Sequence, residues 1–154
     1  MTAPTRSRTV IREATPDDAG TVRTLIGEIA AHQAQSASVT VTAEQWAGYL
    51  ERPDITVLLA EIDGDAVGYV SAVRRLHLWS GEDIVALDDL YVRPGHRDTG
   101  VGRLLMSELA ARSEGLTITW GVQPDNDAAI RFYRRLGATV RAKVVCVWTA
   151  RQRT

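Results

Sequence analysis

The sequence predicts an α/β fold of the α+β kind, with elements in the order β-α-α-β-β-β-α-β-α-β. Short apolar runs typical of strands alternate with segments whose apolar residues recur every three or four positions, as in amphipathic helices. A hairpin turn signal at Asp63-Gly64-Asp65 joins two strand-like runs. A break at Pro94, followed by the close pair Gly100 and Gly102, joins another strand-like run to a helix. These three observations indicate one sheet combined with several helices.

The first third of the chain predicts one strand and two helices. Thr9 to Glu13 alternates in the manner of a short strand. Thr15 then offers an N-cap, followed by a proline and two acids that suit the first turn of a helix. Thr42 and Gln45 form a capping box that predicts a second helix, which ends before Pro53.

The remaining elements follow from the same two periodicities. Strands are predicted at Ile55 to Ile62, Ala66 to Val73, Asp83 to Arg93, Leu116 to Val122 and Val140 to Trp148. A helix begins after Gly100 and ends at Ser113, with one apolar face formed by Val101, Leu104, Leu105 and Leu109. A last helix is predicted from Asn126 to Leu136.

Length and composition predict one globular domain over residues 1–154. With 45% hydrophobic and 24% charged residues the chain is not of the disordered class, and its apolar runs are too short for a membrane span. The polar segment Met1 to Arg8 shows no secretory signal. A single cysteine cannot form an internal disulfide, so we expect a cytoplasmic location, with Cys146 as a buried small hydrophobe.

Charge is unevenly distributed along the chain. The formal net charge of −1 argues against a nucleic-acid partner, which usually requires a basic surface. Through Asp89 the chain has 14 acidic and 7 basic residues, whereas from Leu90 onward it has 5 acidic and 11 basic residues. One interpretation is a site for a cationic substrate in the first half and for an anionic cofactor in the second. The alternative is that solvated surfaces happen to segregate.

The segment that precedes the third helix favours phosphate binding. Gly100 and Gly102 open a helix, where free amides and the macrodipole attract anions, and neither glycine has a Cβ that would block close approach. Arg93, Arg97 and Arg103 could add positive charge. Gly102 is not followed by Lys-Ser/Thr and position 105 is a leucine, which excludes a P-loop and a dinucleotide fingerprint. The alternative is a strand–turn–helix junction that uses glycine only for its turn.

Three blocks carry a family resemblance. Arg97-x-x-Gly100-x-Gly102 after a strand resembles the acyl-CoA pyrophosphate loop of the GNAT superfamily of N-acetyltransferases. The segment from Trp120 to Ala138 contains Asn-x-x-Ala-x-x-Phe-Tyr-x-x-x-Gly, which is similar to a second superfamily segment. Leu87 to Val92 resembles the acidic strand of the spermidine/spermine and thialysine acetyltransferases and, more loosely, that of small aminoglycoside 3-N-acetyltransferases.

The resemblance implies a GNAT fold, with a mixed, mostly antiparallel central sheet flanked by helices. It implies acetyl-CoA as co-substrate, and we expect no metal. The main chain of Leu90, Tyr91 and Val92 would pair with the pantetheine arm like an added strand. The full set of residues implied to bind the cofactor is Leu90, Tyr91, Val92, Arg97, Asp98, Thr99, Gly100, Val101, Gly102, Arg103, Asn126 and Ala129.

Acidic residues are the candidates for holding an amine. An alkylamine with a pKa near ~10 must lose a proton before it can attack a thioester, so a nearby carboxylate can both bind it and accept that proton. Asp89 matches the family's acidic position, and a β-bulge would let Asp88 face the same side. Secondary candidates for the substrate site are Glu28, Glu82 and Asp83, together with His32, which lies one helical turn after Glu28. Both His32 and His96 are expected to be surface residues.

Tyr133 is the candidate acid for the leaving thiolate. The resemblance places it at the family's usual acid, and a phenol can donate a proton to a thiolate. The alternative is packing, because Ala129, Phe132, Tyr133 and Leu136 form an apolar helical stripe. Asn126 would contact the cofactor, cap the helix, or do both.

These observations predict an acetyl-CoA-dependent N-acetyltransferase. Its substrate would be a primary amine of a small cationic molecule, namely a polyamine, a diamino acid or an aminoglycoside-type antibiotic, and the amine would attack the thioester directly. The alternatives are acetylation of a peptide or protein amine, and a non-catalytic CoA-binding module. We also expect a homodimer, with neither nucleic acid nor membrane as partner.

Overall fold

The computed structural model describes residues 7–149, which fall into two compact units divided between Trp120 and Gly121. The first unit contains a sheet of five strands, β1 (Thr9–Glu13), β2 (Ile55–Ile62), β3 (Asp65–His77), β4 (Glu82–Val92) and β5 (Ile118–Thr119). The strands lie side by side in chain order, and all neighbours are antiparallel except β4 and β5, which are parallel. The expected mixed, mostly antiparallel sheet is confirmed.

Helices cover both faces of this sheet. The first unit contains α1 (Ala19–His32), α2 (Ala43–Tyr49) and α3 (Val101–Arg112). The apolar cluster between α1 and the sheet includes Val22, Leu25, Val57, Leu59, Tyr69 and Tyr91. Leu105 of α3 approaches Gly68, and because successive strand residues point to opposite faces, α3 lies on the face opposite to Tyr69.

The predicted turn and cap signals form as expected. Asp63 and Gly64 connect β2 to β3 with φ of 51° and 83°, the left-handed geometry of a tight hairpin turn. At the start of α2, Thr42 Oγ1 accepts from the Gln45 amide at 3.1 Å, and Gln45 Oε1 accepts from the Thr42 amide at 2.9 Å. A 3-10 turn over Pro16–Asp18 precedes α1, so the α-helix itself begins at Ala19.

The second unit contains α4 (Asp127–Leu136). It ends at the predicted residue and begins one residue after the predicted start, because Asn126 is its N-cap. Asn126 Oδ1 accepts from the Ala129 amide at 3.2 Å. Gly137 ends the helix with φ of 96°, a conformation that glycine adopts without strain.

The last part of the chain departs from the predicted strands. β5 comprises Ile118–Thr119 rather than the whole of Leu116 to Val122. Residues 138–149 are described without a strand, so the predicted strand over Val140 to Trp148 is wrong for this structure. Runs of β-branched residues form a strand only when a neighbouring strand accepts their hydrogen bonds, and no ladder reaches residues 138–149 in the described chain.

Two side chains differ from the prediction. Cys146 is exposed, because its segment does not form the predicted paired strand. Leu104 is 44% exposed, whereas Met106 is buried beside Leu105 and Leu109. Three of the four predicted face residues of α3, Val101, Leu105 and Leu109, are buried, and Met106 takes the place predicted for Leu104.

Gly68 allows β3 and β4 to pack closely under α3. A Cβ at this position would lie 2.6 Å from the Tyr91 carbonyl oxygen and 3.3 Å from Val92 Cα, so the backbone would have to move. We therefore expect Gly68→Ala to lower the free energy of unfolding by about 1–3 kcal/mol, the typical cost of overpacking. Chemical denaturation measures this change. The control is Gly20→Ala in α1, where a Cβ meets nothing within 4 Å and where alanine should be neutral or stabilising; equal stabilities of the two variants would contradict the prediction.

Candidate functional site

One edge of β4 is only partly covered by strand pairing. β3 pairs with β4 from Glu82 to Val92, whereas β5 pairs only with Val85 and Ala86. From Leu87 to Val92 no described strand lies on the β5 side. Leu90, Tyr91 and Val92, the residues expected to pair with an extended ligand, lie in this stretch. Its main-chain groups can therefore form hydrogen bonds with a bound molecule.

A β-bulge interrupts β4 at the predicted acidic pair. Ser71 of β3 pairs with Asp89 but the next residue, Ala72, pairs with Leu87, so Asp88 is the extra residue. The expected bulge is confirmed. Asp89 contacts the Tyr69 hydroxyl, and the charges of both Asp89 and Asp88 contribute, after burial, to the raised pKa of Tyr69. Because the bulge interrupts the strict alternation of β4, the Asp88 side chain is not confined to the face opposite to Asp89.

The two carboxylates have different surroundings. Asp89 Oδ2 accepts a hydrogen bond from the Tyr69 hydroxyl at 2.9 Å. Asp88 lies at the surface, but neighbouring atoms partly desolvate its carboxyl group, and this desolvation, together with the charge of Asp89, raises its pKa. Keeping both carboxylates ionised therefore costs free energy, and a bound cation would lower that cost.

Glu28 on α1 is held by Arg93 and Tyr91. Arg93 donates to both carboxylate oxygens of Glu28, at 2.9 Å from Nε and 2.7 Å from Nη2, and the Tyr91 hydroxyl donates to the same group at 3.2 Å. Arg93 also donates to the Ala66 carbonyl at 2.7 Å. The Arg93 guanidinium lowers the pKa of Glu28. The negative charge of Glu28 is therefore largely compensated and offers little to an amine. Arg93 binds Glu28 and the Ala66 carbonyl, so it does not fill the phosphate-binding role considered for it.

The other predicted acids and histidines lie elsewhere in the first unit. Glu82 and Asp83 begin β4, roughly 20–23 Å along the strand from Asp89 at about 3.3 Å per residue. Asp83 forms an ion pair with Arg74 at 2.7 Å. His32 is exposed at the end of α1, as expected. His96 is half-buried in the loop after β4, where its amide donates to the Arg93 carbonyl at 3.1 Å.

The loop from β4 to α3 has the geometry of an anion site. Gly100 precedes α3 with φ of 89°, and Asp98 is also left-handed with φ of 59°. Leu104 is the first residue of α3 to donate within the helix, to the Gly100 carbonyl at 3.0 Å, so the amides of Val101 and Gly102 come before the helical ladder. Thr99 is tied down by a hydrogen bond from its hydroxyl to the His96 carbonyl.

Arg97 links this loop to the end of β4. Its Nε donates to the Val92 carbonyl at 2.9 Å, and its guanidinium carbon lies 6.0 Å from the centre of the Tyr91 ring. The side chain is exposed, so its remaining N–H groups reach solvent or a ligand. An anion at the start of α3 would meet backbone amides and this positive charge together.

In the second unit, Tyr133 lies on the half-buried side of α4. Ala129, Phe132, Tyr133 and Leu136 are each partly buried, so the predicted apolar stripe is present, and the rings of Phe132 and Tyr133 lie 5.3 Å apart. Burial raises the pKa of Tyr133. Its phenol therefore keeps its proton at neutral pH, which suits a proton donor.

Sequence reasoning missed Tyr69. It lies inside an apolar strand run and shows no spacing signal of its own, because its link to Asp89 depends on the pairing of β3 with β4.

Within residues 7–149, the helices are all too short or too polar to cross a membrane, and no group of three or more metal-ligating His, Cys, Asp or Glu side chains is present.

Comparisons with known proteins agree with this architecture. The model of the acetyltransferase (GNAT) family matches residues 22–138. A thialysine N-epsilon-acetyltransferase of Bos taurus is 32% identical over 142 residues, which cover 84% of this chain and 83% of that protein.

Solved structures show the same fold. An aminoglycoside acetyltransferase from an uncultured soil metagenomic sample, crystallised with trehalose, superposes with a TM-score of 0.81 at 18% identity and covers 94% of this chain and 97% of its own. An aminoglycoside N-acetyltransferase in complex with CoA gives a TM-score of 0.76 at 18% identity, covering 96% of this chain and 99% of its own. With the family model matched across most of its length, the chain belongs to the GNAT acetyltransferase family and is an N-acetyltransferase.

Proposed function

We propose that this enzyme transfers the acetyl group of acetyl-CoA to a primary amine of a small cationic molecule, namely a polyamine, a diamino acid or an aminoglycoside. The observation that carries this proposal is the bulge at Asp88 in the stretch of β4 with an open edge, where two adjacent carboxylates interact so that the charge of Asp89 helps to raise the pKa of Asp88. A polycationic amine would relieve the repulsion between them. Relatives named for thialysine and neighbours named for aminoglycosides support a small amine as substrate.

Asp89 is the proposed amine-binding base. Its carboxylate would hold the ammonium group and accept its proton, directly or through a water molecule, so that the neutral amine attacks the thioester carbonyl. Asp88 would add a second negative charge to the binding site. Glu28, Glu82 and Asp83 contribute less to this proposal, since Glu28 and Asp83 are already ion-paired and Glu82 begins β4 at its other end.

Acetyl-CoA would occupy the open edge of β4 and the start of α3. The main chain of Leu90, Tyr91 and Val92 would pair with the pantetheine arm and offer N–H groups to the thioester oxygen as it becomes negative. The pyrophosphate would lie on the loop from Arg97 to Arg103, whose amides and positive charge suit it. Asn126 and Ala129 would contact the cofactor from α4.

Tyr133 would donate a proton to the leaving CoA thiolate. Support comes from its place in the family segment and from the burial that keeps its phenol protonated. This role requires both units to belong to one N-acetyltransferase domain over residues 1–154. The family model supports that reading, because its match over residues 22–138 includes residues on both sides of the boundary at residue 120.

Acetyl transfer from isotope-labelled acetyl-CoA to a panel of amines tests the proposed function. The panel contains polyamines, diamino acids, aminoglycosides and peptides with free amino groups. We expect kcat/KM to be highest for one of the small cationic classes. Transfer confined to peptide amines would replace the proposal with a peptide acetyltransferase, and CoA binding without transfer to any amine would replace it with a binding module.

Gly102 is expected to be essential for CoA affinity. In Gly102→Val the added methyl groups would occupy the space where the pyrophosphate approaches the first turn of α3, and we expect at least a tenfold weaker Kd for CoA, or about 1.4 kcal/mol. Titration calorimetry with CoA measures this change.

The chain offers a matched control for this variant. Gly20 is the second residue of α1, as Gly102 is of α3, and a side chain there meets open space. Gly20→Val should therefore leave CoA affinity unchanged. A folded Gly102→Val protein that binds CoA with the parent affinity would show that the pyrophosphate does not bind at this loop.

A further inference from the structure

Tyr69 places a hydroxyl group beneath the candidate amine site from inside the core. Its side chain is 0% exposed and packs in the cluster of Val22, Leu25, Val57, Leu59 and Tyr91 between α1 and the sheet. The rings of Tyr69 and Tyr91 lie 6.2 Å apart, and these two residues are direct partners across β3 and β4. The ring is thus fixed by packing on several sides. Its hydroxyl reaches the edge of the cluster, where it meets Asp89.

This hydroxyl is a permanent hydrogen-bond donor. A buried hydroxyl needs a partner, and Asp89 Oδ2 accepts from it at 2.9 Å. Burial, followed by the charge and hydrogen bond of Asp89, raises the pKa of Tyr69 far above its ordinary value. Tyr69 therefore cannot act as a base at neutral pH. What it can do is hold a carboxylate in one orientation.

The two oxygens of Asp89 are consequently not equivalent. Oδ2 is engaged by a donor whose ring cannot move, whereas no described residue forms a hydrogen bond with Oδ1 among the side-chain bonds of residues 7–149. A carboxylate held by one oxygen has little freedom to rotate away from its neighbour. Oδ1 is then the oxygen that remains available to a bound amine.

We propose that Tyr69 is the positioning residue of the amine site: its hydroxyl fixes Asp89 through Oδ2 so that Oδ1 receives the proton of the substrate ammonium group. The proposal rests on the proposed function, in which Asp89 binds and deprotonates the amine. The Tyr69 phenol donates throughout and gains or loses no proton. The proton that the ammonium group loses before attack goes to Oδ1, directly or through a water molecule. The second proton, which the nitrogen loses after it attacks the thioester, balances the proton taken up by the leaving CoA thiolate.

The test is Tyr69→Phe, which keeps the ring and removes only the hydroxyl. An unfixed Asp89 keeps its charge and still attracts the ammonium group, but it occupies the productive orientation for less of the time. We expect kcat to fall about tenfold, the loss typical of one hydrogen bond to a charged group, while KM for the amine changes by less than about threefold. CoA affinity should stay at the parent value. A purely structural role predicts the opposite pattern, a lower melting temperature with kcat retained.

A double-mutant cycle with Asp89→Asn separates this proposal from the proposed function. If Tyr69 acts through Asp89, Tyr69→Phe should cost little further activity in the Asp89→Asn background. Tyr49→Phe, which removes a hydroxyl from α2, is the control and should resemble the parent enzyme. Parent-like kcat in Tyr69→Phe with a severe loss in Asp89→Asn would overturn the positioning role alone. Parent-like kinetics in both single variants would overturn the role of Asp89, and a full additional loss in the double variant would show that Tyr69 acts independently.

Discussion

Asp89→Asn is expected to lower kcat/KM for the amine by about 10²–10⁴-fold, the range typical for loss of a general base. Asparagine has nearly the same shape, and its side-chain carbonyl can still accept the hydrogen bond from Tyr69, so β4 and its bulge should persist. What disappears is the negative charge and the capacity to accept a proton. The affinity for CoA should therefore remain close to that of the parent enzyme.

Steady-state kinetics with the best amine of the panel, together with calorimetric titration of CoA, measure the two effects separately. Asp65→Asn, the same change at an exposed aspartate on the neighbouring strand, serves as the control and should leave both unchanged. An equal loss of amine activity and CoA affinity in Asp89→Asn would point to damage to β4. Kinetics like those of the parent would exclude Asp89 as the base.

The fold of the first 120 residues could be predicted closely because local signals and burial agree there. The bounds of β1 and β2 were predicted to the residue, since β1 alternates, β2 is a short apolar run, and β2 ends at a turn signal. The prediction failed over Val140 to Trp148, where β propensity is high but no described ladder provides a partner. Propensity describes what a segment can form, whereas pairing depends on which other segment lies beside it.

The acidic pair could be predicted, but its partners could not. Asp88 and Asp89 are adjacent in the sequence, and a bulge that would let both face one side was considered from the resemblance; the structure contains that bulge. Which side chains approach these acids depends on the register of β3 against β4, and a register cannot be read from either strand alone. This is why Tyr69 gave no signal, and why Arg93, a candidate for phosphate, proved to bind Glu28 from a helix 65 residues earlier in the chain.

Ion pairing in the structure also distinguishes among the acidic residues that the sequence offered as candidates. Five acidic residues were plausible ligands for an amine by position alone, and the structure gives two of them, Glu28 and Asp83, an arginine partner. An ion-paired carboxylate gains little from a second cation, whereas a pair of neighbouring carboxylates gains from each cation that it binds. Charge compensation, more than sequence position, therefore favours Asp88 and Asp89 as the site for a polyamine.

Tyr133→Phe is the second variant for which a large effect is expected. Phenylalanine keeps the ring and its contact with Phe132 and removes only the hydroxyl. If Tyr133 protonates the leaving thiolate, kcat should fall by ~10²-fold or more, because the proton is donated in the transition state. If the residue serves packing alone, the change should cost no more than about 1 kcal/mol of stability for a lost hydrogen bond and should leave the rate intact.

The measurement must report the chemical step, since slow product release would conceal a loss in chemistry. Single-turnover acetyl transfer, with enzyme in excess over acetyl-CoA, meets this condition, and a thermal melt of the same preparation shows whether α4 has kept its packing. A hundredfold slower transfer with an unchanged melting temperature would support the acid role, because burial that raises the pKa of this phenol keeps its proton in place for the thiolate. Transfer as fast as in the parent enzyme would leave Tyr133 as a packing residue, and the thiolate would then have to take its proton from solvent or from the newly acetylated amine.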